Sequence, residues 1–340
     1  MPTNVYISLS EEDRVSVYHM DSTNGQLEKT QDIHVDGRPG PLAMDPATKF
    51  TYVGSRNSCE VSSFEVIKNR EGALQFINKV SLGSDPCYLS TDRSGKFLLS
   101  AYYAAGKVDV HKIDDTGSIL EQHVGRVITC KGAHCIQTDP SNRFAFVPHV
   151  AAPYYANTIF QLRFDENTGC LTGNTPDRIS LDDPLGPRHF CFHPTLDIVY
   201  TSNEQDCSVS AYKFNPTEGK LSLFQTISTI PEPIYKGSTC SQIQISSSGR
   251  FLYAPNRGHN TIACFAVAPH SGKLTRIGLV PAEPVPRAFS LDPAGRFLLS
   301  AGLYSGKLGV YSISGDNGEL HLLKTYDIGQ GPMWVLVANV

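Results

Sequence analysis

Short runs of apolar or alternating apolar and polar residues recur along this chain, and no stretch of useful length carries the helical period. The runs come in pairs. LAMDPATKFTYVGS, YLSTDRSGKFLLSA, CIQTDPSNRFAFVP, FCFHPTLDIVYTS, IQISSSGRFLYAP and FSLDPAGRFLLSA each hold two, separated by a tight turn, with an aromatic residue leading the second run in most copies. Asp-Pro and Ser-Gly close such turns, so each pair predicts two antiparallel strands that are buried or half-buried. A further copy is split between the termini: residues 331–338 supply its first strand and residues 4–10 its second.

Between these pairs lies a second signal, a glycine followed two residues later by Leu or Ile. It occurs at Gly25, Gly72, Gly117, Gly169, Gly219, Gly272 and Gly318, spaced by 47, 45, 52, 50, 53 and 46 residues. The glycines follow Asn, Glu, Thr or Ser, which is turn chemistry between two further strands, such as residues 61–67 and 74–80. A repeat of about 45–50 residues holding four antiparallel strands is the size of a propeller blade. The pattern therefore predicts an all-β fold, a seven-bladed β-propeller forming a single domain over residues 1–340. Its last blade is closed by the C-terminal strand pairing with the N-terminal ones, and ring closure removes the edges that an open array would expose. A two-domain α/β chain of this length would show βα alternation, and none is visible.

In such a blade the start of the innermost strand and the turn between the second and third strands reach the same face of the disc. That face collects Arg38, Arg56, Tyr102, Tyr103, His134, His149, Tyr154, Tyr155, Arg188, His189, Glu204, Lys236, Arg257, Arg287, Tyr304 and Trp334. The opposite face receives ordinary turn residues. Polar residues at strand ends are usually solvated or hydrogen-bond the turns, but cationic, imidazole and aromatic groups concentrated on one side suit a small anionic ligand. His193, ahead of Pro194, is expected to stabilise its turn; His111, His123 and His321 lie on outer-strand patterns and are expected at the surface.

Composition narrows this further. The formal charge is −4 over 340 residues, so no basic excess exists for a nucleic acid. No cationic, long-apolar leader opens the chain and no apolar run is long enough to span a bilayer. Nine scattered cysteines, several in β-like runs (Cys59, Cys135, Cys191, Cys207, Cys264), read as small buried hydrophobes, and a reducing cytoplasm is the expected compartment. No histidine pair has zinc spacing and no acidic loop resembles an EF-hand, so no metal or cofactor is expected. Glu204 with Asn203 and Asn256 could at most imitate a channel calcium site. A Gly-x-Ser-x-Gly elbow is absent, and Gly329-Gln-Gly331 precedes a strand, which disqualifies it as a dinucleotide fingerprint.

Gly132-Ala-His134, Gly186-Pro-Arg188-His189-Phe190, Phe192-His193-Pro194, Asn203-Glu204, Asn256-Arg257-Gly258, Pro286-Arg287 and the closing Gly329-Gln-Gly-Pro-Met-Trp334 span the chain. With these motifs it resembles the seven-bladed propeller lactonase family, which includes bacterial 6-phosphogluconolactonase and the fungal carboxymuconate-lactonising enzyme. The resemblance implies a catalytic cluster of His134, Arg188, Glu204 and Arg257. Two departures border the implied pocket: Gln242-Ile243 stands where the family tends to carry an acidic residue before Ile, and the loop after His149 is longer.

The leading expectation is hydrolysis of a small sugar-acid lactone, 6-phosphogluconolactone-like, by metal-independent acid–base catalysis. Glu204 or His134 would be the base, and Arg188 or Arg257 would hold the oxyanion. Arg56, Tyr103, His149, Lys236, Gln242, Arg287 and Trp334 are the expected substrate-binding residues. The alternatives are a lactonising cycloisomerase acting on a muconate-type dicarboxylate, and a non-catalytic propeller that binds a ligand or protein. The partner expected throughout is a small anionic lactone or sugar acid; monomer and dimer both fit.

Overall fold

The computed structural model describes residues 2–151, 155–231 and 237–340. Its strands form seven antiparallel sheets whose inner strands neighbour one another around a central channel. From channel to rim, the first blade holds Pro39–Met44, Phe50–Ser55, Glu60–Ile67 and Ala73–Ser81, and the second Tyr88–Thr91, Phe97–Tyr102, Lys107–Ile113 and Ile119–Ile128. The third holds Gln137–Thr138, Phe144–His149, Thr158–Phe164 and Leu171–Ser180, and the fourth Pro187–Phe192, Ile198–Asn203, Ser208–Asn215 and Lys220–Ser228. In the fifth, the inner strand is broken into Thr239–Cys240 and Gln244–Ile245, followed by Phe251–Arg257, Thr261–Val267 and Leu274–Pro281. The sixth holds Pro286–Leu291, Phe297–Gly302, Lys307–Ile313 and Leu320–Asp327. The closing blade sets the C-terminal Pro332–Asn339 innermost, beside Thr3–Leu9, Arg14–Met20 and Leu27–His34, as the split copy predicts. Among the described residues the only helical element is a short turn at Lys68–Arg70, and no helix is long and apolar enough to cross a membrane.

The repeat residues have structural reasons. In the inner hairpin, the aspartate that opens the turn accepts two backbone N–H groups beyond it. Asp92 Oδ1 takes those of Lys96 and Phe97 at 2.8 and 2.9 Å, and Asp139 Oδ1 takes those of Arg143 and Phe144 at 2.9 and 2.8 Å. His193 does the same work with Nδ1, accepting from Thr195 and Leu196 at 3.1 and 2.9 Å. The repeated glycine serves ring assembly. Each of the seven forms a joint with the start of the second strand of the preceding blade; at five of them the glycine meets a leading Phe (Phe297, Phe50, Phe97, Phe144, Phe251), and Gly72 and Gly272 meet Asn4 with Tyr6 and Ile198 with Tyr200.

Gly219 shows what that joint demands: its φ is +67° and an added Cβ would lie 2.1 Å from Phe144 Cδ1. Gly83 has the same φ of +67° but open space around it. Gly219→Ala is expected to cost about 2–4 kcal/mol, a left-handed penalty plus overpacking, against about 1–2 kcal/mol for Gly83→Ala. Denaturant melts of the two variants check the difference; equal losses would mean that the joint is not tight.

Adjacent blades are tied near the channel by short side chains. Ser8 Oγ donates to Gly40 O at 2.6 Å, Ser90 Oγ to Ile136 O at 2.7 Å, and Ser241 Oγ to Pro286 O at 2.7 Å. These bonds, with apolar packing such as the edge-on contacts of Phe146 with Phe190 and Phe214, make the channel wall rigid.

Three expectations need correction here. His111 is buried, not at the surface: it lies on the third strand of its blade opposite His123, and burial pulls its pKa down to about 4. Cys59 and Cys207 lie in turns with φ of 55° and 51°, not in strands, although all nine cysteines are free thiols. Tyr102 is fully buried beneath Lys107, whose Nζ lies 4.5 Å from the ring centre, so it does not reach the mouth.

Candidate active site at the channel mouth

Each blade contributes one residue from the beginning of its inner strand to a narrow central cavity: Pro41, Cys87, His134, Arg188, Gln242, Arg287 and Met333. Arg56 and Trp334 complete the wall. Two of these positions depend on a break in the pairing. Pro187 pairs with Asn203 and His189 with Ser202, which leaves Arg188 as the extra residue of a bulge; Arg287 lies likewise between Pro286 and Ala288. A bulge turns the strand locally and re-aims a side chain. Both arginines follow a proline, which cannot donate to the ladder. Gln242 occupies the break in the inner strand of the fifth blade, and His134 lies between an isolated bridge at Ala133 and the short inner strand Gln137–Thr138 of the third.

The residue after Arg188, His189, lines a separate cavity behind this wall, and its Nε2 lies 3.2 Å from His134 Nδ1. Its ring packs edge-on against Tyr88 and lies beside Trp334, with centroids 5.0 and 6.0 Å away.

Glu204 opens the turn after Ile198–Asn203, where its N–H donates to Gly186 O at 2.6 Å. Its Oε2 forms ion pairs with two guanidiniums, 2.7 Å from Arg188 Nε and 3.0 Å from Arg257 Nη2. Arg257, the last residue of its strand, also donates from Nη2 to Cys240 O at 2.8 Å, while Cys240 N–H donates to Glu204 O at 3.1 Å. One carboxylate oxygen thus anchors two guanidiniums. Arg188 is only 2% exposed, and its Nε and Nη1, like the Nε of Arg257, have no hydrogen-bond acceptor among the described residues. Arg287 adds a third buried guanidinium, with no carboxylate paired to it among the described residues.

Charge balance follows from that count: three cations face one anion. Burial pushes the Glu204 carboxyl up, but Arg188 and Arg257 outweigh it and hold it below the usual range, so it is ionised. Burial, then Arg257, pulls Arg188 down to about 9, which leaves it charged at neutral pH; burial and the same neighbour bring Arg287 to about 10. His134 is driven well below its ordinary value by burial and then by Arg188, so it is a neutral imidazole. With Nδ1 facing His189, its Nε2 is the nitrogen left for the cavity. Tyr103 stacks edge-on to His134 at 5.7 Å, and burial, then Tyr155, pushes its phenol up to about 12.

The remaining candidates divide. Gln242 lines the cavity while its Oε1 accepts the Phe289 N–H at 2.9 Å. Arg56 lines it too, but its guanidinium is held by Asp85 in a two-pronged pair at 2.8 and 2.6 Å. His149 does not belong to the site: its ring is buried between strands, bonded to Val147 O and Thr129 Oγ1 at 2.9 Å each and packed on Phe160. Lys236 and Tyr154 lie outside the described residues. Arg38 pairs with Glu11 and, with Arg56 and the exposed Tyr304, borders a side pocket of about 540 Å³ that opens beside the central cavity. Cys87 and Met333 were not anticipated, although superposing the seven repeats puts them near the positions of Arg188 and Arg287.

The calcium imitation fails on donor orientation. Asn203 Nδ2 bonds Ser208 and Ser210 Oγ at 2.8 Å each, and Asn256 Oδ1 accepts Thr229 Oγ1 at 2.6 Å, so both amides serve the blades. Among the described residues no group of three His, Cys, Asp or Glu side chains is placed to hold a metal ion.

Comparison with known proteins agrees with this geometry. A family model described as "Lactonase, 7-bladed beta-propeller" matches residues 4–337. A 6-phosphogluconolactonase from Enterobacter sp. (strain 638) is 32% identical over 337 residues, 99% of each chain. Among solved structures, the periplasmic gluconolactonase PpgL of Pseudomonas aeruginosa superposes with a TM-score of 0.90 at 23% identity, covering 100% of both chains. A protein from Lactobacillus plantarum gives 0.89 at 22%, again over 100% of both. At these identities the two structures speak for the fold, while the full-length family match speaks for descent. The chain belongs to the seven-bladed β-propeller lactonase family.

Proposed function

We propose that the protein hydrolyses a small sugar-acid lactone, 6-phosphogluconolactone-like, by metal-independent acid–base catalysis at the mouth of the central channel. The observation that carries this reading is the set of buried guanidinium N–H groups on Arg188 and Arg257 that lack a hydrogen-bond acceptor among the described residues and lie beside a neutral imidazole. Attack of water on a lactone carbonyl places negative charge on the carbonyl oxygen. Donors fixed in a dry site where that charge develops lower the barrier, each typically by about 10²–10³-fold. Arg188 and Arg257 are such donors, and Glu204 holds them in place.

In this reading His134 Nε2 accepts a proton from the attacking water and returns it to the ring oxygen as the C–O bond opens. Glu204 is the poorer base, because two guanidiniums stabilise its ionised form. Arg287, with no carboxylate of its own, binds an anionic or hydroxyl group of the substrate, and Tyr103 and Trp334 border the sugar. The name carried by the Enterobacter relative supports a phosphorylated gluconolactone, whose distal end would extend toward the side pocket at Arg56.

The test is a side-by-side assay of 6-phosphogluconolactone, gluconolactone and a muconate, each against spontaneous ring opening. Turnover of a sugar lactone at least about a hundredfold above the blank is expected. Turnover of the muconate alone would replace this reading by the lactonising one, and binding without turnover by a non-catalytic one.

A further inference from the structure

The channel does not end at the catalytic cavity. Behind Trp334 and His189 lies a second cavity of about 300 Å³, bordered by Arg93, Gln137, Gln242 and Gln244. It is polar and large enough for several waters. His189 lines this rear cavity and touches His134, which lines the front one, so the two imidazoles form the wall between them. Both rings are buried, at 4% and 6% exposure. His189 is boxed in by Tyr88 and Trp334, which fixes its plane, and among the described residues no carboxylate approaches it to stabilise an imidazolium.

We infer that His134 and His189 form a proton relay through the channel wall, with His189 the positioning residue that lets His134 act as base without becoming an imidazolium. This rests on the lactonase reading above. In the resting arrangement His134 carries its proton on Nδ1 and donates to His189 Nε2, and His189 carries its own on Nδ1, toward the rear cavity. When water attacks the lactone, its proton goes to His134 Nε2. The Nδ1 proton of His134 passes to His189 Nε2, and the Nδ1 proton of His189 passes to rear water. Both rings stay neutral and exchange tautomers. When the ring C–O bond breaks, His134 Nε2–H protonates the departing alkoxide, His189 returns a proton to His134 Nδ1, and rear water reprotonates His189 Nδ1. Protons balance over the cycle, and the acid product ionises in bulk solvent. The physical reason is burial together with the neighbouring guanidiniums: Arg188 and Arg287 oppose a standing positive charge on either ring, and Arg257 opposes one on His189.

The test uses 6-phosphogluconolactone and mixtures of light and heavy water. The unmodified enzyme is expected to show a curved proton inventory on kcat, the mark of several protons in flight. His189→Phe keeps an aromatic ring against Tyr88 and Trp334. It is expected to lower kcat by at least about tenfold with KM within about twofold, and to turn the inventory linear. His189→Ala opens space continuous with the rear cavity, and added imidazole is expected to restore at least about half of the lost activity. A linear inventory in the unmodified enzyme overturns the relay even if no variant folds. So does an unchanged kcat in His189→Phe, or a lowered kcat whose inventory stays curved and which imidazole does not restore in His189→Ala. If the unmodified enzyme does not open the lactone above the blank, the lactonase reading itself has failed, and the relay with it.

Discussion

Glu204→Gln is expected to lower kcat for lactone opening by at least about a hundredfold while the sheet structure persists. The amide keeps the shape of the carboxylate but not its charge, and that charge is shared by Arg188 and Arg257 through a single oxygen. Once it is gone, three guanidiniums repel one another with no counter-charge in the cavity, and the two oxyanion donors move apart. Displacing a reacting group by about 1 Å can cost about 10²-fold. Stability also falls, because breaking a buried ion pair typically costs about 3–5 kcal/mol. The loss here is expected below that range, since the Glu204 side chain keeps 17% of its surface exposed and water reaches the mouth. Steady-state kinetics with circular dichroism separate the effects: near-native turnover in a folded variant would remove Glu204 from the machinery.

The ring was legible because its physics is local. Turn chemistry, strand alternation and the glycine joint are each set within a few residues, and sevenfold repetition made every weak signal count several times. The face of the disc followed from strand direction alone, which is why His134, Arg188, Glu204 and Arg257 could be placed together before any contact was known. What escaped depends on partners far apart in sequence. Arg56 reads as a free cation until Asp85, 29 residues on, takes both prongs of its guanidinium. His149 is at a strand end as expected, but Phe160 and Thr129 claim its ring. The contact of His189 with His134 joins residues 55 apart in sequence, on neighbouring blades, and no local pattern announces it. Cys87 carries no charge to draw attention, yet its repeat position puts it in the wall, where burial raises its thiol to about 11.

Arg188→Met is expected to separate stability from activity in the opposite sense to Glu204→Gln. Among the described residues Arg188 is the largest nearly inaccessible side chain, its Nε and Nη1 lack a hydrogen-bond acceptor, and burial with Arg257 and Arg287 disfavours its charge. In the unfolded chain the same guanidinium is hydrated and free of those neighbours. The folded state therefore holds this cation at a cost, the sign implied by a pKa drawn down to about 9. Methionine matches much of its apolar stem, removes the repulsion and leaves Glu204 paired with Arg257 at 3.0 Å, so no buried charge is orphaned. Replacing buried ionic groups by packed apolar ones ranges from neutral to about 1–4 kcal/mol stabilising. The variant is thus expected to melt at the same or a higher temperature than the parent while kcat falls by about 10²–10³-fold, the worth of an oxyanion donor. Arg188→Lys keeps the charge but not the fork, and should recover little activity and none of the stability. A thermal melt and a kcat measurement on the two variants decide the matter. A marked loss of stability in Arg188→Met would show that the guanidinium is a structural tie, whereas gained stability with lost turnover marks a charge kept in the channel for catalysis.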